Sequence, residues 1–204
     1  MAKRKSSSAT VDWLAVIGDH LPRRCGIATF TSDLCDALEG EMPDEGHVEV
    51  VAMDDVPEGY KYPERVKFQV RDNVQADYLR AAEFVNVNHF DMAVMQHENG
   101  IYGGASGSHI LSLIKSLRMP IVSTLHTVLT EPSDEQRAIM VDLARYCERL
   151  VVMSGLARDI LHDVYDIDKS KTAFIPHGIP DLPFSDTQFF KDQFNLLDRM
   201  VILT

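Results

Sequence analysis

The sequence predicts an α/β fold in which a mainly parallel sheet carries helices on both faces. Seven apolar runs of strand length lie near residues 11–17, 48–53, 66–70, 91–96, 120–125, 149–153 and 172–176. Apolar residues at helical spacing fill most of the intervals, and alternation of strand and helix is the pattern of parallel strands covered on both sides. The stretch Val11–Leu38 shows the unit most clearly. An apolar run, Trp13–Ile17, is followed by a loop holding Arg23, Arg24 and Gly26. Ile27, Phe30, Leu34 and Leu38 then recur at helical spacing, with Asp33, Asp36 and Glu39 between them.

The later elements follow the same logic. Val74, Tyr78, Ala81 and Val85 share one helical face, as do Ile110, Ile114 and Leu117, and again Ile139, Leu143 and Tyr146, where Pro132 and Ser133 supply a helix start. Ser154 is placed to cap the helix that follows the run at 149–153. The runs at 48–53 and 66–70 are joined by DDVPEGYKYPER, too short to assure a helical crossover, so their mutual orientation stays open. After Asp181, SDTQFFKDQFNLLDR reads as a connecting helix ahead of the apolar VILT. The expected organisation is a basic, serine-rich, disordered tail over 1–10, one Rossmann-like domain over 11–183, and a connector over 184–204.

Composition narrows the classes of function. With 204 residues and 45% hydrophobic content the chain can bury a substantial core. A formal charge of −11 argues against a nucleic-acid surface, because Lys and Arg cluster only at Lys3–Lys5 and Arg23–Arg24. The three cysteines, Cys25, Cys35 and Cys147, form no CxxC pair, which suits a reducing compartment. No signal-peptide core follows the basic start, and no run approaches the ~18 apolar residues of a membrane span, so a cytoplasmic location is expected. No HExxH or comparable cluster is present, and His97-Glu98-Asn99 lacks a second histidine at helical spacing, so no bound metal is expected.

Strand ends point to the chemistry. In a parallel sheet every carboxyl end lies on one edge, where ligands of open α/β sheets bind. Asp19–Gly26, His97–Gly104, His126–Thr130, Ser154 and His177–Gly178 each follow a predicted strand and so converge on that edge. Gly26 admits close backbone approach, and a helix starting beside it aims unpaired N–H groups at an anion. Cys25 beside the same helix start could be a stabilised thiolate, although a structural thiol is the favoured reading. His126 stands first among catalytic candidates, because imidazole donates or accepts a hydrogen bond without an obligatory charge; the competing reading is a satisfied structural histidine. His97 and Glu98 form a candidate acid–base pair on a loop that could equally be a solvated turn. Gly103 and Gly104 offer flexibility or backbone amides. Asp36 with Glu39, and Asp134 with Glu135, read as solvated helix charges.

Six segments in register, LPRRCGIATFTSDLCDAL, QHENGIYGG, PIVSTLHTVL, LVVMSGLARDIL, IPHGIPD and VILT, resemble the amino-terminal half of family 4 glycosyltransferases of the GT-B fold. The resemblance implies a retaining, usually metal-independent transfer of sugar from a nucleotide-sugar to a sugar or lipid acceptor, with no cofactor. It places Gly26 and Arg24 at the donor phosphate. His126 would face the transferred sugar as an orienting and charge-stabilising group, and Glu98 and Tyr102 would stand on the acceptor side. His177 replaces the asparagine commoner at the interdomain turn. It further implies a chain cut before its carboxy-terminal domain and inactive alone. Alternatives are a non-catalytic sugar- or partner-binding module, or a GT-B sugar phosphorylase or epimerase.

Overall fold

A computed structural model describes residues 11–43, 46–179, 183 and 185–202. The expected tail over 1–10 lies outside them. Seven strands, β1 (Trp13–Gly18), β2 (His47–Asp54), β3 (Val66–Arg71), β4 (Met92–His97), β5 (Ile121–Leu125), β6 (Arg149–Val152) and β7 (Thr172–Phe174), form one sheet in the order β3-β2-β1-β4-β5-β6-β7. Every neighbouring pair is parallel. The helices are α1 (Gly26–Glu41), α2 (Gln75–Val87), α3 (Ile110–Ile114), α4 (Asp134–Tyr146), α5 (Gly155–Tyr165) and α6 (Thr187–Gln193). Short 3-10 turns cover Ala105–Gly107 and Lys169–Lys171.

The alternation of strand side chains separates two cores. Leu14, Val16, Val48, Val50 and Ala52 pack with Cys35 of α1 on one face. Ala15, Ile17, Val51, Met53, Ala93 and Met95 pack on the other with residues of α2, α3, α4 and α5, such as Tyr78, Leu113, Leu143 and Leu161. β1 is central and buried on both sides: Leu14, Ala15, Val16 and Ile17 are at most 5% exposed, as expected for a strand without polar alternation.

The open question between β2 and β3 resolves as parallel, with the crossing made by residues 55–65 and no helix. Side chains anchor this segment in place of a helical core. Tyr62 donates to Asp54 Oδ1 at 2.7 Å, Tyr60 donates to Asp55 Oδ1 at 2.7 Å, and Arg65 grips Asp36 and Glu39 of α1 at 2.5 and 2.6 Å. Asp36 and Glu39 therefore anchor this crossing and are not merely solvated. Leu117 falls beyond the short α3, yet its N–H still reaches the Leu113 carbonyl at 3.2 Å and its side chain packs on the core.

Two serines cap as their positions suggest. Ser154 Oγ accepts from the Ala157 N–H at 3.1 Å. Ser133 accepts from Gln136 N–H at 3.2 Å while Gln136 Oε1 accepts from Ser133 N–H at 2.9 Å, a reciprocal capping box that opens α4. Ser133→Ala should lower the unfolding free energy by about 1 kcal/mol in urea titration, leaving the far-UV spectrum of the folded state unchanged.

Candidate functional site

The carboxyl ends of the strands share one edge, and the loops leaving them cross-link. The His126 N–H donates to the His97 carbonyl at 2.9 Å, Ile175 N–H to the Val152 carbonyl at 3.0 Å, and Asp72 N–H to the Asp54 carbonyl at 2.9 Å. On this edge α1 begins at Gly26. Cys25 is its N-cap, with Sγ accepting from the Ala28 N–H at 3.3 Å. The N–H groups of Gly26 and Ile27 have no acceptor among the described residues. A side chain at Gly26 would meet nothing within 4 Å, and its backbone is outside the left-handed region. Nothing in the chain's own packing requires glycine there, and its absent side chain leaves two amides uncovered.

One turn further along α1, Phe30 stands between two histidines. The His126 ring lies edge-on at 4.8 Å between centroids, the His177 ring at 5.3 Å. Phe30 had read only as a core position of an amphipathic helix; here it joins the ends of β5 and β7 to the helix start. His126 Nε2 lies 3.0 Å from Gln96 Oε1. Burial lowers the His126 pKa, the neighbouring His177 acts in the same direction, and Glu98 opposes them. Burial thus favours the neutral imidazole.

Glu98 is held on the same edge. Its carboxylate accepts from Thr127 Oγ1 at 2.5 Å and from the Asn99 N–H at 3.0 Å. The edge therefore brings together Gly26, Glu98, His126 and His177. Arg24 is exposed and has no ion-pair partner among the described residues, whereas Arg23 is committed to Asp19 at 2.8 Å and Asp55 at 3.4 Å.

Three expectations need correction. Tyr102 is 4% exposed, and its hydroxyl is committed to the Gln96 backbone carbonyl at 2.6 Å, so it lies behind the edge as a support. Gly103 does not offer its amide to a ligand: its N–H donates to Tyr78 Oη at 3.0 Å, and a Cβ would fall 1.9 Å from the Asp72 carbonyl oxygen, so glycine is required by close packing. His97 does not pair with Glu98. It is 1% exposed and points to the opposite face beside Tyr102, and burial pushes its pKa down to about 4.

Cys25 donates its thiol hydrogen to Asp19 Oδ2 at 3.1 Å, and burial together with that carboxylate raises its pKa, which fits a structural thiol. Asp19, missed by sequence reasoning, is fully buried at the end of β1, and desolvation raises its pKa to about 6 against the opposing pull of Cys25 and Arg23. Two cavities have none of Gly26, Glu98, His126 or His177 in their lining: one of about 550 Å³ beside α1 and β2, lined by His20, His47, Glu49 and Arg65 among others, the other of about 310 Å³ at the carboxyl ends of β2 and β3, lined by Asp54, Gly59 and Arg71 among others. Among the described residues no group of three or more His, Cys, Asp or Glu is arranged to hold a metal ion. Among them, too, no helix is long and apolar enough to cross a membrane.

The chain is an all-parallel α/β sheet with an uncovered helix start and a row of polar loops at its carboxyl edge, the edge outside which open α/β sheets as a class bind their ligands. The model of Glycosyltransferase Family 4 matches residues 25–181, more than half of the chain, and the chain belongs to that family. Its fold is similar to the crystal structure of a glycosyltransferase from Rickettsia africae ESF-5, with a TM-score of 0.59 and 12% sequence identity over 91% of this chain and 50% of that one. The chain thus spans half the length of that relative. Comparison with curated protein sequences returned no match.

Asp19 and His97 give opposite pH dependences. Asp19 has a raised folded pKa, so its contribution to stability is full below about 3.8 and is lost as pH rises through about 6. His97 has a lowered folded pKa, so its contribution is full above 6.5 and is lost as pH falls toward about 4. Asp19→Asn removes the first dependence. The stability of this variant relative to wild type should rise by about 2 kcal/mol between pH 4 and pH 6 in urea titrations. A difference that stays constant across that range contradicts this assignment.

Proposed function

We propose that this domain forms the acceptor side of a retaining glycosyltransferase that takes a hexose from a nucleotide-sugar, with the donor diphosphate at the start of α1. The observation that carries the reading is the uncovered turn at Gly26, on the same edge as His126 and Glu98. The N–H groups of Gly26 and Ile27 suit a diphosphate oxygen, the positive end of the α1 dipole favours its charge, and the exposed guanidinium of Arg24 lies close by in sequence. These donors are fixed before the sugar leaves, so charge developing on the leaving phosphate is stabilised without rearrangement. His126 and Glu98 accept hydrogen bonds from hydroxyls of the transferred sugar and the acceptor, and no step in this scheme calls for a metal.

The remaining donor contacts belong, in this reading, to a second half of the enzyme. The likeness to half of a longer glycosyltransferase supports this, as does an apolar strip on and after α6, where Phe189, Phe190 and Phe194 are 64%, 51% and 72% exposed. The 204-residue chain should therefore bind a nucleotide-sugar without turning it over.

Gly26→Ala tests the carrying observation. A methyl group there has room in the folded chain but covers the open amides. Equilibrium dialysis against labelled uridine and guanosine diphosphate hexoses should show binding weakened roughly tenfold or more, the cost of about one lost charge-assisted hydrogen bond, at unchanged thermal stability. Unchanged binding by this variant would sink the placement of the diphosphate, and sugar transfer by the chain alone would sink the division of labour.

A further inference from the structure

We propose that Gln96 is the positioning residue of the site: its side-chain carbonyl takes the proton of His126 Nε2, so that the imidazole meets a sugar hydroxyl through the lone pair of Nδ1. The inference deepens the glycosyltransferase reading and rests on it for the identity of the hydroxyl, while the tautomer itself does not depend on any ligand.

The geometry starts from strand parity. Met92, Val94 and Gln96 alternate onto the α1 face of the sheet, so the last of them brings an amide to the carboxyl edge where apolar residues precede it. Gln96 is fully buried, and its backbone carbonyl accepts from the Tyr102 hydroxyl at 2.6 Å. Its stem is gripped at β1, where a Cβ on Gly18 would fall 2.9 Å from Gln96 Cβ. A side chain held this firmly presents its amide from a fixed point. Oε1 lies 3.0 Å from His126 Nε2, and an amide oxygen only accepts, so that nitrogen carries the proton. Thr31 Oγ1, which also borders the Gly18 position, gives its proton to the Ile27 carbonyl at 2.7 Å and not to Gln96.

Chemistry at the edge follows from the tautomer. With Nε2–H committed to Gln96 and the ring face-to-edge against Phe30, Nδ1 remains as an acceptor. The other charged or titratable groups acting on the ring are Glu98 and His177, with His97 behind it. A neutral acceptor beside the Glu98 carboxylate recognises hydroxyl donors and gives no cation to a phosphate. His126 would then orient the sugar, and the Gly26 turn with Arg24 would carry the charge stabilisation.

The test is long-range proton–nitrogen correlation spectroscopy of the uniformly nitrogen-15-labelled chain, with the His126 signals identified by their loss in His126→Gln. Wild type should show His126 as the neutral Nε2–H tautomer. Gln96→Leu should convert it to a mixture of tautomers, and Gln96→Glu should raise its titration midpoint by about one pH unit or more, because a carboxylate at Oε1 favours imidazolium. An Nδ1–H tautomer in wild type overturns the proposal, and so does a wild-type tautomer kept in Gln96→Leu. Should that variant not fold, the wild-type tautomer and the near-isosteric Gln96→Glu decide: an unmoved midpoint counts against the proposal. These spectra need no donor or acceptor, so failure of the glycosyltransferase reading would show separately, as loss of nucleotide-sugar binding.

Discussion

All seven strands run in one direction, and the candidate site depends on that constraint. A parallel sheet sends each connection back across a face, so the loops leaving the strands gather on one edge and those entering gather on the other. Gly26, Glu98, His126 and His177 are distant in sequence, yet each stands just after a strand. The edge is also cross-linked: backbone bonds tie the end of β4 to the start of the loop after β5, and the end of β6 to residues after β7. Phe30 adds a side-chain link by holding two of the histidines against α1.

Alternation along β4 divides the labour at that edge. Gln96 and His97 are adjacent but face opposite sides of the sheet. Gln96 reaches toward α1 and His126, whereas His97 is buried against Tyr102 and kept neutral. One residue of register would exchange these two side chains between the faces of the sheet. The Tyr102 hydroxyl on the Gln96 carbonyl and the close approach of Gly18 to its stem both hold that register.

Most of the fold was legible in the sequence because the strands are buried on both faces and read as unbroken apolar runs, and because Ser133 and Ser154 mark helix starts by local chemistry. The direction of β3 was not legible: residues 55–65 cross without a helix, held by Tyr62, Tyr60 and Arg65 through contacts that composition does not announce. At the site, position after a strand singled out Gly26, Glu98 and His126, and resemblance to the family added Arg24. It misplaced Tyr102, because a tyrosine in a glycine-rich loop gives no sign of which way it turns. Gln96 and Asp19 were missed for a related reason. Parity assigns a strand residue to a face, but a hydrogen-bond partner 30 residues away in the chain is set only by the packed sheet. Arg23 and Arg24 look alike as letters, and only burial beside Asp19 and Asp55 separates the structural arginine from the exposed one.

The central claim is that these strand ends form one ligand-facing edge. Backbone amide chemical shifts of the labelled chain, followed while a nucleoside diphosphate hexose is titrated in, test it most directly. The account predicts that the largest changes fall together on Gly26, Ile27, Phe30, Glu98, His126 and His177. Changes centred on Ser32, Glu49 and Arg65 beside the cavity near α1, with the strand ends unmoved, would contradict it.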